Sequence, residues 1–364
     1  MSKVLNVLYE NKPCYNIYIE KDFDNFCHFL KKDVAKQYNK ICIVSDSNVA
    51  NLYLKNIHNS LVKEYNEVYY FIFEAGEASK NTRTVEKLYL ELTNNHFDRH
   101  DLLVALGGGV VGDLTGFAAA TYMRGIDFIQ VPTSLLAQVD SSIGGKTGVD
   151  FLSYKNMIGA FYMPKMVYIN INTLKTLPRY QFSCGMGEVI KHGLIRDINY
   201  YRWLSSNYND IISLNEESLE KMVNRSCEIK RDTVQIDPKE QGIRAHLNFG
   251  HTLGHSIERL ADFKLGHGQC VALGMIAAIY LSWKAKCISE SEYKGIISTL
   301  KLYDLPSEID NISILDIIEV SKSDKKMIGD KVKFIYLKEL GNADISTEFT
   351  SKDFESALKE IVKD

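Results

Sequence analysis

The sequence predicts a parallel α/β domain followed by a helical one, with boundaries at 1–178 and 179–364. Three observations carry this reading. A chain of 364 residues exceeds one ordinary core, so two domains are expected. The first half alternates short β-branched runs with amphipathic stretches, the pattern of parallel strands covered by helices. After Pro178 those runs become sparse and helical periodicity takes over. No repeat or flexible linker separates the halves, so they are expected to pack directly, with a site in the cleft between them.

Strands are predicted at Lys40–Ser45, Val68–Phe73, Asp101–Leu106 and Asp127–Val131. Each ends in polar or glycine-rich residues, and ligands of open α/β sheets gather at such ends. Asp46-Ser-Asn48, Gly76–Lys80, Gly107–Gly109 and Thr133-Ser134 are therefore expected to line one crevice. Helical periodicity runs through Gly187–Ser205, Glu216–Gln235, Gly250–Asp262 and Ala272–Cys287.

Composition excludes several classes. With 45% apolar and 24% charged residues, six prolines and a net charge of -3, the chain has no large disordered region and no basic footprint for nucleic acid. No apolar run is long enough for a membrane span and the N-terminus lacks a leader pattern, so a cytoplasmic protein with a small-molecule partner is expected. Seven cysteines without a CxxC pair argue against a disulfide framework, and Cys42 and Cys270 read as buried thiols.

Gly107-Gly-Gly-Val-Val-Gly112-Asp113 satisfies G-x-G-x-x-G between a strand and a helix, the context in which backbone N–H groups cradle a pyrophosphate. It follows two earlier βα units rather than opening the domain, so a turn needed only for packing remains open. Gly144-Gly145-Lys146 resembles the end of a P-loop, but Asp140 stands where the first glycine belongs, which excludes that nucleotide-hydrolysis motif. Lys146 and Lys155, beside glycines and hydroxyls, suit anionic oxygens, although each alone reads as a surface lysine.

His251 and His255 lie one helical turn apart. Thr252 occupies the place of the glutamate that zinc proteases need, so peptide hydrolysis is excluded. Glu188 and Lys191, also one turn apart, read on their own as a solvated salt bridge, and His267 between Gly266 and Gly268 as a turn residue. Glu188, His251 and His267 nevertheless make a common catalytic zinc set, one carboxylate with two imidazoles. His246 reads as structural.

Together these motifs give the chain a resemblance to the 3-dehydroquinate synthase family, sugar-phosphate cyclases related in fold to iron-dependent alcohol dehydrogenases and glycerol dehydrogenase. The similarity runs from Asp46-Ser-Asn48 through Glu77–Lys80, Gly107–Asp113, Pro132–Asp150, Lys155–Gly159, Glu188–Lys191, Arg244–His255 and His267 to Asp324-Lys325-Lys326. It implies an N-terminal Rossmann-like NAD-binding domain, an all-α metal- and substrate-binding domain, and a homodimer. Asp46, Asn48, Glu77, Lys80, Gly108, Gly109, Asp113, Thr133, Ser134, Lys155, Thr173 and Thr176 match NAD contacts. Glu188, His251 and His267 match ligands of one divalent metal, zinc with cobalt as the alternative. Arg124, Asp140, Lys146, Asn156, Lys191, Lys230, Arg244, Asn248, Lys325 and Lys326 match substrate contacts. Glu240 and His255 match proton-transfer positions, with Lys146 and Lys191 also counted as catalytic.

The implied reaction is a phosphate-eliminating lyase step of the shikimate route. It turns 3-deoxy-D-arabino-heptulosonate 7-phosphate into 3-dehydroquinate by transient oxidation with NAD, loss of phosphate, re-reduction, ring opening and aldol closure. Ser134, Ala75, Tyr154 and Tyr180 depart from the residues frequent in the family. A sister cyclase or a metal- and NAD-dependent polyol dehydrogenase on the same fold are the alternatives, and a catalytically silent nucleotide sensor is disfavoured by the intact metal set.

Overall fold

Seven strands build the largest sheet among the described residues, in the order β1-β2-β9-β6-β5-β3-β4. They are β1 (Lys3–Tyr9), β2 (Lys12–Glu20), β3 (Lys40–Asp46), β4 (Glu67–Phe73), β5 (Leu102–Gly107), β6 (Asp127–Pro132) and β9 (Met166–Asn170), with the hairpin β7 (Lys146–Phe151) and β8 (Tyr154–Phe161) forming a separate ribbon. The molecule is a computed structural model that describes residues 3–34, 37–152, 154–262, 264–322, 327–328 and 331–363. Lys325 and Lys326 therefore lie outside the described residues.

All pairings in the large sheet are parallel except β1 with β2. β5 is buried along its whole length, as a central parallel strand must be. Alternation sends Ile41, Ile43, Leu102, Val104 and Leu106 to one face, against Phe26 and Leu30 of α1 (Phe26–Asp33). On the other face Cys42, Val44, Leu103 and Ala105 meet Leu88, Leu92, Leu114 and Ala118. Two helices carry those partners, α4 (Thr82–Asn94) and α5 (Gly109–Thr121), after the short α2 (Ser47–Val49) and α3 (Lys55–Leu61).

The order matters for function. β3 has β4 on one side and β5 on the other, so the winding direction reverses between β3 and β5. Ligands of open α/β sheets bind at that reversal, at the carboxyl ends of the strands. Here those ends are Asp46 and Gly107.

The chain divides into Met1–Leu177 with Lys230–Pro238, and Pro178–Ile229 with Lys239–Asp364. Lys230–Pro238 groups with the first unit through contacts of its own: Lys230 Nζ reaches Asp140 Oδ1 at 2.6 Å, and Gln235 Oε1 accepts a hydrogen bond from the Leu8 amide at 2.7 Å.

The second unit is mostly helical. Its elements are α6 (Arg179–Arg196), α7 (Ile198–Ser206), α8 (Tyr208–Ile212), α9 (Glu216–Ile236, whose last turns count with the first unit), α10 (His251–Leu260), α11 (His267–Lys284), α12 (Glu290–Leu302), α13 (Ile314–Lys322) and α14 (Ser351–Leu358). Two expectations are corrected. The helical stretch Gly187–Ser205 is broken at Asp197, whose side chain accepts from the Tyr200 amide and starts a new helix. Nor is the unit all-α: it carries the pairs β10 (Ile309–Asp310) with β15 (Val362–Lys363), β11 (Met327–Ile328) with β12 (Lys331–Val332), and β13 (Phe334–Glu339) with β14 (Asn342–Ser346). The last forms because apolar Phe334, Ile335 and Leu337 are buried ahead of a turn in which Gly341 holds φ +85°.

Glycines set the approach of α11 to α10 and to α6. A Cβ on Gly274 would stand 1.9 Å from the Gly250 carbonyl oxygen, and one on Gly268 would stand 1.8 Å from that of Cys184. These contacts are with backbone, which cannot rotate away. Gly274→Ala is expected to cost about 3 kcal/mol through forced separation of the helices. The check is the urea midpoint, and an unchanged midpoint would show that the helices yield freely.

Candidate active site

Three helices of the second unit converge on four ionisable side chains. On α6, Glu188 and Lys191 are i,i+3 neighbours in direct ionic contact, each side chain 1% exposed. The solvated pair expected from spacing is therefore buried, because α6 is enclosed on every side from Phe182 to Ile195. His251 opens α10 after Gly250, whose φ of +79° turns the chain into the helix. His267 opens α11, where Gln269 Oε1 accepts from the Gly266 amide at 3.2 Å.

Glu188 Oε1 accepts no hydrogen bond among the described residues. Two imidazole nitrogens face it instead: His251 Nε2 at 3.6 Å and His267 Nε2 at 3.7 Å. Donors about 2.1 Å from a tetrahedral zinc stand roughly 3.4 Å apart, and both carboxylate–imidazole distances are close to that spacing. His255 completes the cluster, its ring centroid 5.1 Å from His251 and 5.6 Å from His267. One nitrogen from each of the three histidines can be chosen with all three within 4.8 Å of one another. The geometry thus offers two overlapping donor sets, one with Glu188 and one with His255.

Both outer imidazoles have their second nitrogen engaged. His251 Nδ1 lies 3.1 Å from the Phe249 carbonyl oxygen, and His267 Nδ1 lies 3.3 Å from Glu258 Oε2. Nearby in the chain, Asn248 donates to Glu240 Oε1 at 2.6 Å. Glu240 sits at φ +58°, and Arg244 is almost wholly buried. Burial and the Arg196 charge push the His246 imidazole below its usual range, which fits a structural residue.

In the first unit Lys80 is the hub. Its ammonium donates to Asp113 Oδ2 and to Asn156 Oδ1, each at 2.6 Å, and Lys155 reaches Glu77 at 3.4 Å. Burial alone would lower the Lys80 pKa, but the carboxylates of Asp113 and Glu77 outweigh it and hold the group above its ordinary range. Asp113 lies on α5, whose N-terminal residues Gly108 and Gly109 are closely approached: a Cβ on Gly108 would meet Ser134 Oγ at 3.4 Å and one on Gly109 would meet Ser141 Oγ at 3.2 Å. Asp46 caps α2 by accepting from the Asn48 and Val49 amides, at 2.9 and 3.0 Å. Asn48 is exposed beside it.

The Thr133 amide donates to the Gly107 carbonyl at 2.9 Å. The buried Thr173 hydroxyl accepts from Gln138 at 3.0 Å, and Thr176 contacts the Tyr53 hydroxyl. Asp140 pairs with Lys230, joining two expected substrate residues. Lys146 is exposed at the start of β7, and Arg124 is exposed with φ +67°, between Met123 and Gly125 that also have positive φ.

Models of the 3-dehydroquinate synthase N-terminal and C-terminal domains match residues 70–184 and 185–327. The chain belongs to the 3-dehydroquinate synthase family. A 3-dehydroquinate synthase from Acetivibrio thermocellus is 43% identical over 91% of this chain and 91% of its own length. One from Ruminiclostridium cellulolyticum is 40% identical over 96% of each chain. Among solved structures, a 2-deoxy-scyllo-inosose synthase complexed with carbaglucose-6-phosphate, NAD+ and Co2+ superposes with a TM-score of 0.88 at 23% identity, covering 98% of this chain and all of that one. A 2-epi-5-epi-valiolone synthase from Streptomyces hygroscopicus, with NAD+ and Zn2+ bound, gives 0.89 at 22% identity over 98% of each. A probable glycerol dehydrogenase from Sinorhizobium meliloti, at 0.63 and 12% identity over 94% of each, shares the fold more distantly.

Sequence reasoning missed Glu258. Its signal was available: seven residues after His251 and three after His255, it falls on the same face of α10.

Proposed function

We propose that this chain performs its family's reaction, converting 3-deoxy-D-arabino-heptulosonate 7-phosphate to 3-dehydroquinate and phosphate, as a carbon–oxygen lyase using NAD and one divalent cation. The observation that carries the reading is the Glu188, His251 and His267 donor set within a chain more than 40% identical to 3-dehydroquinate synthases over nine-tenths of its length. When bound, NAD supplies a reversible hydride acceptor and the cation, zinc or cobalt, a Lewis acid.

The chain's own residues divide the remaining work. Gly108, Gly109, Thr133 and Ser134 offer close backbone approach and hydroxyls to a dinucleotide, with Asp46, Asn48, Glu77, Lys80, Asp113, Lys155, Thr173 and Thr176 around it. Arg124, Lys146, Lys191, Lys230 and Arg244 are cations enough to grip a phosphate and a carboxylate, and Asp140, Asn156 and Asn248 orient hydroxyls. His255, one turn from His251, carries protons, with Glu240 held by Asn248 as a second proton-transfer group.

Arg244 and Asn248, which match family substrate contacts, favour a carboxylated substrate over the uncarboxylated sugar phosphate of a sister cyclase, where no carboxylate needs gripping. A homodimer is supported by the β7–β8 ribbon, which exposes the apolar side chains Phe151, Leu152 and Tyr154 at its turn. Seven free thiols suit a reducing cytoplasm, and no helix among the described residues is long and apolar enough to cross a membrane.

The test is direct. Purified protein with NAD and cobalt is expected to release phosphate from the heptulosonate phosphate with no lasting rise in NADH absorbance. Stoichiometric NADH would select the polyol dehydrogenase, and absence of phosphate release with every divalent metal would sink the cyclase reading.

A further inference from the structure

Glu258 is a carboxylate kept from water, its side chain 3% exposed, at a position none of the roles above requires. Burying a carboxylate is costly unless it is engaged by a partner, so such a residue on a helix needs a reason. α10 presents His251, His255 and Glu258 at spacings of four and three, on one face. Glu258 Oε2 lies 3.3 Å from His267 Nδ1.

That contact selects a tautomer. A neutral imidazole carries one N–H, and a carboxylate can only accept, so Nδ1 of His267 carries the proton and Nε2 keeps the lone pair. Nε2 is the atom that faces Glu188 Oε1 at 3.7 Å. His251 reaches the same arrangement by another device: its Nδ1 donates to the Phe249 carbonyl at 3.1 Å, and its Nε2 faces Glu188 Oε1 at 3.6 Å. Two imidazoles from different helices are thus offered in one tautomer to one point.

The devices differ because the packing differs. The His251 side chain is 10% exposed and its ring is confined by neighbours, whereas His267 is 29% exposed at the first position of its helix. A backbone carbonyl suffices for the first. The second needs an anchor supplied from another helix.

We propose that Glu258 is a positioning residue that fixes the ring and tautomer of His267, so that Nε2 is presented to a divalent cation and made a stronger donor by the adjacent negative charge. This rests on the metal reading given above. Outer partners of this kind typically change metal affinity by about 10- to 100-fold.

Cobalt titration of the metal-free protein, followed by ligand-field absorption and by competition with a chelator, tests the proposal. Glu258→Gln keeps the size and an oxygen acceptor but removes the charge, and is expected to weaken cobalt binding by about 10- to 100-fold and to alter the spectrum at saturation. A purely structural role would leave the saturated spectrum unchanged. His267→Ala is expected to lose binding altogether. If Glu258→Gln binds cobalt within about twofold of the parent while His267→Ala does not bind, Glu258 has no positioning role, though the metal site stands. If the parent shows no saturable binding, the metal reading falls and this inference with it. Should Glu258→Gln fail to fold, histidine nitrogen NMR on the metal-free parent decides the matter. The resonance missing in His267→Ala is expected to report protonation at Nδ1, and protonation at Nε2 would overturn the proposal.

Discussion

His251→Ala and His267→Ala are expected to emerge from gel filtration without metal and with activity reduced by about a thousandfold or more, whereas His255→Ala retains metal and is slower in turnover. Lewis-acid assistance is worth several kcal/mol, and each 1.36 kcal/mol is a tenfold change in rate, so removing a ligand reaches that scale. Loss of a proton-transfer group costs about 10²- to 10⁴-fold, but in kcat with the metal in place. The division of roles comes from geometry together with family resemblance. His251 and His267 each direct Nε2 at Glu188 Oε1, at 3.6 and 3.7 Å, with their Nδ1 atoms engaged elsewhere. His255 stands beside both rings, so an alternative set of three imidazoles is sterically available. Metal analysis of the purified variants separates the two. Equal metal loss in His255→Ala would make His255 a ligand and leave Glu188 to another task.

The strands β3, β5 and β6 were readable in the sequence because burial on both faces demands continuous runs such as Leu102–Leu106, and the register pairs them with each other and with the edge strand β4; β9, equally buried and parallel, was not read. β2 was not readable: Pro13 and Asn16 weaken its pattern, and its place in the sheet is fixed by distant pairing with β9. The β7–β8 ribbon was hidden by its glycines, which serve close strand contact. A Cβ on Gly148 would meet the Ile158 carbonyl at 2.7 Å. At the site, residue types were legible but their environments were not. A Glu and Lys one turn apart look the same in sequence whether α6 is exposed or enclosed, and only the tertiary packing buries them. Likewise, nothing local says that Glu258 reaches His267 on the next helix.

The second large effect concerns that buried pair. Lys191→Met removes an ammonium in contact with Glu188 where both side chains are 1% exposed. Methionine fills similar volume, so the dominant loss is electrostatic: a carboxylate is left in the protein interior without its cation. Breaking a buried pair in this way costs about 3–5 kcal/mol. For a unit of this size that lowers the thermal midpoint by on the order of 10 °C. The cost depends on the metal, because a divalent cation held by Glu188, His251 and His267 supplies the missing positive charge. In the parent, Glu188 already has Lys191, and an added cation must share the carboxylate with an ammonium that it repels. Metal is therefore expected to raise the midpoint of Lys191→Met by several degrees more than it raises that of the parent, and on the substrate-binding role proposed for Lys191 the variant's turnover is expected to stay low. Differential scanning calorimetry with and without cobalt measures both increments. Equal increments would mean that the ammonium does not compensate Glu188, and that Lys191 serves the substrate alone.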